Sequence, residues 1–143
     1  MSHVLKVNWV HTSETEEWLR SMVIGSSLNM CSGMSKVGDV RIDRYEGTNR
    51  TRGGDLFKMD ILPQSFDTVI CDPPFEFYNR FDWILRLADI ARKRLLISPD
   101  RTNIRLKGFR PSLYAFTDKM YLRLYYCFDR EQNLLLSPME PKL

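Results

Sequence analysis

The chain contains the segment Ser65-Phe66-Asp67-Thr68-Val69-Ile70-Cys71-Asp72-Pro73-Pro74-Phe75, in which a strand pattern stops abruptly. Its apolar residues Phe66, Val69 and Ile70 favour a short buried strand. Two consecutive prolines then fix φ and remove two backbone donors, so a sheet ladder cannot continue. A carboxylate, backbone carbonyls released from the ladder and an aromatic ring follow at the carboxyl end of this strand. Open α/β sheets bind their ligands at that end.

Taken alone, Asp72-Pro73-Pro74-Phe75 fits a structural turn as well as it fits a site. Asp-Pro-Pro is common in loops, and phenylalanine is usually a core residue. The remainder of the chain is needed to distinguish the two interpretations.

Length and composition predict one globular domain spanning residues 1–143. The chain is 43% hydrophobic and 27% charged, which argues against disorder. Its net charge of +3 permits a nucleic-acid partner without requiring one. Three widely spaced cysteines, Cys31, Cys71 and Cys127, form neither a zinc motif nor a disulfide framework. His3 and His11 are isolated, so no metal site is predicted.

The location that we expect is the cytoplasm. Widely spaced cysteines are typical of a reducing compartment. The sequence has neither a signal-peptide pattern nor an apolar stretch of the ~18 residues that a membrane span requires. We therefore predict no membrane partner.

Short strands and turns dominate the first half of the predicted secondary structure. Its elements are a strand over residues 3–10, a helix from about Glu14 to Val23 with a Ser13–Glu16 capping box, strands at Ser27–Cys31 and Asp39–Asp43, and a short third strand around Asp55-Leu56-Phe57.

The second half is predicted to contain the strongest helix and a hairpin. It begins with the strand Phe66–Cys71, followed by a helix from Asn79 or Arg80 that has Arg92, Lys93 and Arg94 in its last turn. A strand at Leu95–Ser98 and a basic loop at 100–112 come next. The hairpin consists of a strand from Met120 to Phe128, a turn at Asp129–Asn133 and a returning strand at Leu134-Leu135-Leu136.

Polar residues recur where the predicted strands end. The turn Ser32-Gly33-Met34-Ser35 follows one strand, Asp43 ends the next, and Asp55 precedes the strand that leads to Asp72. A glycine lets the backbone approach a ligand closely. An acid at the end of the second strand can accept hydrogen bonds from both ribose hydroxyls. This ordered set is typical of a site for a nucleoside-containing cofactor.

In this ordered set the sequence resembles the S-adenosylmethionine-dependent amino-methyltransferases, which methylate an exocyclic nitrogen. Their signature, Asp/Asn/Ser-Pro-Pro-aromatic after the fourth strand, corresponds to Asp72-Pro73-Pro74-Phe75. The glycine-rich cofactor loop of the family corresponds to Asn29-Met30-Cys31-Ser32-Gly33-Met34-Ser35, its ribose-binding acid to Asp43, and its adenine-contacting acid to Asp55. The resemblance covers residues 26–98, with a closing hairpin to about residue 136.

The resemblance implies the site and the fold. The implied catalytic residues are Asp72, Pro73, Pro74 and Phe75, and the implied S-adenosylmethionine-binding residues are Asn29, Ser32, Gly33, Ser35, Asp43, Asp55 and Leu56. The implied fold is α/β: a compact Rossmann-like methyltransferase sheet, mostly parallel, with a C-terminal antiparallel hairpin at 113–137. An N-terminal strand and helix (1–25) would cap the cofactor and catalytic core (26–98).

The segments between the strands predict shortened crossover helices. Asp43 follows Gly33 by only ten positions, whereas a parallel crossover usually takes a dozen residues or more. The next connection, from Arg44 to Gly54, is short and contains three glycines.

The function that we expect is methyl transfer to an exocyclic amino nitrogen of a DNA or RNA base, adenine N6 in the first place. Cytosine N4, guanine N2 and a protein glutamine amide stay open. The chain has no spare segment for target recognition, so a protein partner is a further expectation. The alternative is a degenerate methyltransferase fold that acts as a non-catalytic binding or assembly module, as the short cofactor loops would allow.

Individual residues also allow structural interpretations. Asp43 fits a solvated strand end, Asp55 a turn residue, and Tyr121 and Tyr125 the face of a sheet. The basic loop fits either a solvated surface or a phosphate-contacting patch beside the site; its cations are Arg101, Arg105, Lys107 and Arg110.

Overall fold

A seven-stranded sheet forms the centre of the computed structural model, which describes residues 12–118 and 121–131. The strands are β1 (Ser27–Met30), β2 (Val40–Asp43), β3 (Arg52–Gly53), β4 (Phe66–Cys71), β5 (Ala91–Ile97), β6 (Phe109–Asp118) and β7 (Tyr121–Arg130), and the α-helices are α1 (Ser13–Met22) and α2 (Asp82–Ile90). Two single-turn 3-10 helices lie at Leu56–Lys58 and Phe75–Phe77.

The strand order β3-β2-β1-β4-β5-β7-β6 confirms the predicted fold class. Strands β1 to β5 are mutually parallel, and β7 runs antiparallel to both β5 and β6. From β1 the chain passes to β2 on one side, whereas β4 leads to β5 on the other side. The topological switch point therefore lies between β1 and β4. Within the described residues, no helix is long and apolar enough to cross a membrane.

Among the residues that the structure describes, one α-helix packs on each face of the sheet. Leu19 of α1 packs with Ile70 and Leu96 on one face. Trp83 and Leu87 of α2 pack on the opposite face, and neither is exposed to solvent. Full burial of a large apolar side chain contributes roughly 1.5–3 kcal/mol, so the two helices hold the sheet from both sides.

The start of α1 differs from the predicted Ser13–Glu16 capping box. Thr12 is the N-cap, and its hydroxyl accepts a hydrogen bond from Thr15 N at 3.3 Å. The Glu16 carboxylate instead accepts a hydrogen bond from the Ser35 hydroxyl at 2.6 Å. A tertiary contact has replaced the local one.

The predicted extent of α2 is wrong at its carboxyl end. The helix ends at Ile90, and Arg92, Lys93 and Arg94 belong to β5, which begins directly at Ala91. Pairing of Ala91 with Phe66 of β4 draws this segment into the sheet. A guanidinium of β7, that of Arg130, donates to the carbonyls of Ala88 at 2.9 Å and Ala91 at 2.6 Å and so replaces the missing helical turn.

Two predicted strand positions are also wrong. The third strand is Arg52–Gly53, because Asp55 caps the 3-10 helix that follows and so ends extended structure there. The C-terminal hairpin pairs β7 with β6, which precedes it, along ten residue pairs from Phe109 to Asp118. The segments predicted as strands at 3–10 and 134–136 lie outside the described residues.

Asp67 ties the amino end of β4 to its neighbours. Its carboxylate accepts hydrogen bonds from Ser26 N at 3.0 Å and from the Arg92 guanidinium at 2.7 Å. A Cβ on Gly25, which has a φ of +61°, would lie 2.1 Å from the same carboxylate, so only glycine fits. The Arg92 hydrogen bond and the Ser26 amide lower the pKa of Asp67 to about 2.

We expect Asp67 to stabilise the protein above about pH 4 and to lose that contribution as the pH falls toward 2. The folded pKa of about 2 lies below the ordinary 3.8, so the folded state releases the proton more readily and is favoured at higher pH. Urea unfolding at neutral pH and between about pH 4 and 2 should show Asp67→Asn less stable by on the order of 1 kcal/mol near neutral pH, and with a flatter pH dependence in the acid range. If the stability of Asp67→Asn falls between about pH 4 and 2 as steeply as that of wild type, this expectation is contradicted. Asp82→Asn, at an exposed Arg80 pair, is the control with a smaller effect.

Candidate active site at the carboxyl edge of the sheet

The predicted catalytic and cofactor segments meet at the switch point. Met30, the last residue of β1, is in register with Cys71, the last residue of β4. The turn after β1 and the Asp-Pro-Pro corner after β4 therefore leave the sheet side by side. We call residues 31–35, Asp43 and residues 72–75 together the switch-point site.

The turn after β1 is fixed to the end of β2. Ser32 N donates to the Ile42 carbonyl at 3.0 Å, and Ser35 N closes the turn onto the Ser32 carbonyl at 3.0 Å. Gly33 has a φ of +54°, and no heavy atom lies within 4 Å of the position that a Cβ would take there. The turn thus borders open space and presents a bare stretch of backbone to it.

Ser32 carries a buried hydroxyl without a protein partner. The residue is 7% exposed, and its Oγ makes no hydrogen bond within the described part of the chain. A buried polar atom in this state costs about 1–3 kcal/mol. The structure therefore keeps an unsatisfied hydrogen-bonding group at the switch-point site, one residue before Gly33.

Asp43 is buried rather than solvated, so the interpretation as a solvated strand end is wrong. It is 8% exposed, and its carboxylate accepts hydrogen bonds from Gly33 N at 2.8 Å and Tyr45 N at 2.9 Å. An ionised carboxylate offers about four acceptor positions. Asp43 can thus hold the turn in place and still accept a ligand hydroxyl.

The side chains of Asn29 and Ser35 form a separate network on the α1 face. The Asn29 amide donates to the Ser35 hydroxyl at 3.2 Å and to the Val37 carbonyl at 3.0 Å, and Ser35 donates to Glu16 of α1. These contacts anchor the loop after β1 to α1. Cofactor contact by Asn29 and Ser35 stays a prediction from the resemblance.

Asp55 and Leu56 follow β3 at the same edge. The Asp55 carboxylate accepts a hydrogen bond from Phe57 N at 3.0 Å, and Leu56 is buried in the core below it. Asp55 therefore acts as a turn residue, as one of the two interpretations proposed. Its side chain remains a quarter exposed, 3.9 Å from the Arg44 guanidinium.

Asp72 forms an ion pair that the sequence did not indicate. Its Oδ2 lies 2.5 Å from Nη1 of Arg123, a residue of β7. The two side chains are only 19% and 15% exposed, so solvent screens the pair weakly. The single signal in the sequence is a cation between the apolar residues Leu122 and Leu124. Its partner, 51 residues away, is not deducible from that pattern.

The rest of the Asp-Pro-Pro-Phe corner combines a backbone acceptor with an exposed ring. Pro73 is buried, and no hydrogen-bond donor of residues 12–118 and 121–131 reaches its carbonyl. Phe75 is 62% exposed and meets the ring of Tyr78 edge-on at 5.3 Å. Exposure of a large ring beside a carboxylate and a carbonyl gives a planar ligand a surface for stacking.

The corner is held from the β5 side as well. Ser98 N donates to the Cys71 carbonyl at 3.1 Å, and Asn79 N donates to the Asp100 carboxylate at 3.0 Å. Partial burial and the nearby Asp72 and Asp100 carboxylates raise the pKa of Tyr78, so its hydroxyl stays protonated. Burial likewise raises the pKa of the Cys71 thiol well above its ordinary value, which keeps it neutral.

A further ion pair joins the loop after β2 to the corner after β4. The Arg44 guanidinium lies 2.6 Å from the Glu76 carboxylate and 2.8 Å from the Tyr45 hydroxyl. Both charged side chains are about half exposed. Since β2 and β4 flank β1, this pair connects the two sides of the switch-point site across the end of β1.

Solved structures with the same fold include two methyltransferases. A candidate tRNA (m1A22) methyltransferase from Streptococcus pneumoniae matches over 84% of this chain and 71% of its own, with a TM-score of 0.54 and 12% identity. An S-adenosylmethionine-dependent methyltransferase from Thermotoga maritima, a candidate histamine N-methyltransferase, matches over 91% of this chain and 100% of its own, with a TM-score of 0.54 and 11% identity.

Sequence comparison adds no relative: no family model matches the chain, and no curated protein is similar to it. At 11–12% identity, the structural likeness establishes the fold alone. The chain has the Rossmann-like fold of the S-adenosylmethionine-dependent methyltransferases.

Proposed function

We propose that this protein is an S-adenosylmethionine-dependent methyltransferase that acts on an exocyclic amino nitrogen of a nucleic-acid base, adenine N6 in the first place. One observation carries the proposal: a cofactor-type turn and the Asp72-Pro73-Pro74-Phe75 corner lie side by side at the switch point. Either segment alone would be an ordinary turn. Their adjacency supports a site for two ligands.

The residues around the turn fit the cofactor. The Ser32 hydroxyl is buried and has no partner in the part of the chain that the structure describes, Gly33 borders open space, and Asp43 is a buried carboxylate near both. Asp43 would accept the ribose hydroxyls, and the Ser32 hydroxyl and the backbone at Gly33 would contact the remaining polar groups. Asp55 and Leu56 would lie against the adenine, as the resemblance implies.

The corner residues would activate the amine. An exocyclic amine is a poor nucleophile because its lone pair is delocalised into the ring. The Asp72 carboxylate and the Pro73 carbonyl can each accept one of its N–H groups, which favours a pyramidal nitrogen with a directed lone pair. Phe75 would stack on the base and hold it in line for transfer.

Bound S-adenosylmethionine supplies a methyl group on a sulfonium sulfur, which keeps the bonding electron pair when the nitrogen lone pair takes the methyl. The Arg123 guanidinium, 2.5 Å from the Asp72 carboxylate, fixes the position of this acceptor. The methylated nitrogen then releases its proton to solvent, so Asp72 need not act as a strong base.

Support for a nucleic-acid substrate comes from three sources. The resemblance of the corner is to base-methylating enzymes, one structural neighbour is a candidate tRNA methyltransferase, and Phe75 is exposed for stacking. A single-stranded or looped base avoids much of the cost of base flipping. We propose that the chain acts as one domain, with a protein partner where target selection requires one.

Calorimetric titration with S-adenosylhomocysteine tests the cofactor half of this proposal. We expect one site per chain with a micromolar dissociation constant. Tritium transfer from labelled S-adenosylmethionine to bulk RNA, bulk DNA and bulk protein then identifies the substrate class, and we expect RNA or DNA to be labelled. Absence of binding at millimolar ligand would refute the enzyme and favour the non-catalytic module.

Two serines of one turn provide a matched pair of variants. Ser32→Ala removes an unsatisfied buried hydroxyl, so we expect the ligand-free protein to gain up to about 1 kcal/mol while S-adenosylhomocysteine binds roughly 5- to 10-fold more weakly. Ser35→Ala breaks contacts to Glu16 and Asn29, so we expect lower stability and a smaller loss of affinity than Ser32→Ala causes. Thermal unfolding and calorimetry measure both. Equal effects of the two changes on affinity would contradict the assigned role of Ser32.

A further inference from the structure

One segment of this chain carries a net positive charge as large as that of the whole chain. Residues 100–110 contain four basic residues and one acid, a net charge of +3. The whole chain also has a net charge of +3, so the remainder is neutral on balance. The loop predicted at 100–112 is wrong at its end, because β6 begins at Phe109 and contains Arg110. The observed loop between β5 and β6 spans residues 98–108, and from here on the name basic loop refers to these residues.

Two cations of the basic loop are exposed, because buried and exposed residues alternate along this segment. Ile104 and Leu106 are 4% and 7% exposed and pack into the α2-side core. Arg105 and Lys107, which alternate with them, are exposed. In an extended chain, residues i and i+2 lie about 7 Å apart. That spacing is comparable with the separation of consecutive phosphates along one nucleic-acid strand.

Around Arg105 and Lys107, the basic loop is fixed by hydrogen bonds of its backbone. Tyr126 accepts from Ile104 N at 3.5 Å, and the carbonyl of Gly108 accepts from Glu131 N at 2.7 Å. Within residues 12–118 and 121–131, Arg105 and Lys107 have no acidic partner. The backbone that carries the two cations is thus fixed, and no acid of the described residues neutralises them.

The basic loop begins at the corner that carries Phe75. Asp100 accepts the Asn79 amide at 3.0 Å, and the Arg101 guanidinium donates to the Arg80 carbonyl at 3.0 Å. From this junction the loop runs past Ile104 to Phe109, which is paired with Arg130 at the opposite edge of the sheet. A nucleic-acid strand with one base stacked on Phe75 can therefore continue along the basic loop.

We infer that the basic loop binds the phosphate backbone of the substrate strand next to the target base, through Arg105 and Lys107. This inference rests on the proposed function and adds the surface and the single-stranded form of the substrate. Phosphate contacts position a strand without reading its sequence. These contacts would bind the substrate to this small chain.

The test is the salt dependence of binding to a labelled single-stranded RNA of about twenty nucleotides, measured by fluorescence anisotropy between about 50 and 200 mM NaCl. Each lost phosphate contact lowers the slope of log K against log salt by about 0.7 for a single strand. We expect Arg105→Gln/Lys107→Gln to lower the slope by about 1.4 and the affinity near 0.1 M salt roughly 10- to 30-fold. Arg20→Gln/Lys93→Gln, with two exposed cations of α1 and the amino end of β5, loses the same charge and should keep the wild-type slope.

The remaining outcomes separate this inference from the proposed function. If the two double variants show equal slopes of log K against log salt, the inference is overturned. If wild type and Arg105→Gln/Lys107→Gln both bind S-adenosylhomocysteine in that case, the proposed function survives. Wild type that fails to bind S-adenosylhomocysteine contradicts the proposed function, whatever the slopes are. Stronger binding to vesicles of equal parts phosphatidylserine and phosphatidylcholine than to RNA, lost in the same variant, would also overturn the inference, because the loop would then serve a membrane surface.

Discussion

Asp72→Ala is expected to lower methyl transfer on the order of 100- to 1,000-fold while S-adenosylhomocysteine binding stays within about 2-fold of wild type. The substitution removes an acceptor that the proposed mechanism requires when the amine becomes pyramidal. Asp72→Asn keeps an acceptor oxygen at the same place, so it should retain more activity than the alanine variant. Single-turnover transfer of a labelled methyl group, with RNA in excess, measures the chemical step in each.

The control for this experiment is a second ion pair of the same kind. Arg94 and Asp129 lie 2.6 Å apart and are 20% and 29% exposed, close to the values for Arg123 and Asp72. Asp72→Ala and Asp129→Ala should each cost on the order of 1–3 kcal/mol of stability, because each leaves a half-buried guanidinium without its carboxylate. Only Asp72→Ala should lower the rate of methyl transfer. Transfer that survives Asp72→Ala would place the chemistry elsewhere.

Asp43→Asn is expected to weaken S-adenosylhomocysteine binding on the order of 100-fold, as measured by calorimetry. A charged acceptor contributes about 1.5–3 kcal/mol per hydrogen bond, and the ribose would lose it. In addition, Asp43 accepts two backbone amides, from Gly33 and Tyr45. An asparagine turns an amino group toward one of them in either orientation, so the turn itself loosens.

Asp39 is the matched residue at the other end of β2. Its carboxylate accepts the Ser27 amide at 3.0 Å, a comparable bond from β1, but at the edge of the sheet opposite the switch-point site. Asp39→Asn should therefore lower stability without a change in affinity for S-adenosylhomocysteine. A loss of affinity as large as that of Asp43→Asn would show that strand anchoring, and not ribose contact, controls binding.

Local sequence patterns predicted those parts of the fold whose causes are local. The apolar run before Asp72 and the proline pair after it place β4 and its end correctly, because burial and φ are properties of those residues themselves. The boundary at Ile90 and Ala91 was not predictable. Both residues are apolar there, and what ends the helix is strand pairing with β4 and the distant Arg130 guanidinium.

The candidate site likewise has residues that local patterns predict and contacts that they do not predict. Asp43 and Asp72 could be located because each ends a strand with a recognisable pattern. The contacts of Asp72 with Arg123 and of Arg44 with Glu76 join residues that only the strand order brings together. The hairpin partner of β7 was missed for a related reason: Pro111 and Tyr114 do not give β6 a clear alternation, whereas Leu134-Leu135-Leu136 resembles a strand.

The Arg44–Glu76 ion pair is a contact through which ligands at the two halves of the switch-point site can influence each other. Arg44 follows Asp43 directly, and Glu76 follows Phe75 directly, so one exposed contact links the proposed cofactor side to the proposed base side. A ligand on either side that orders this contact lowers the cost of ordering the loop on the other side. Linkage requires the benefit to be mutual: by whatever factor the cofactor tightens binding of the base, the base tightens binding of the cofactor.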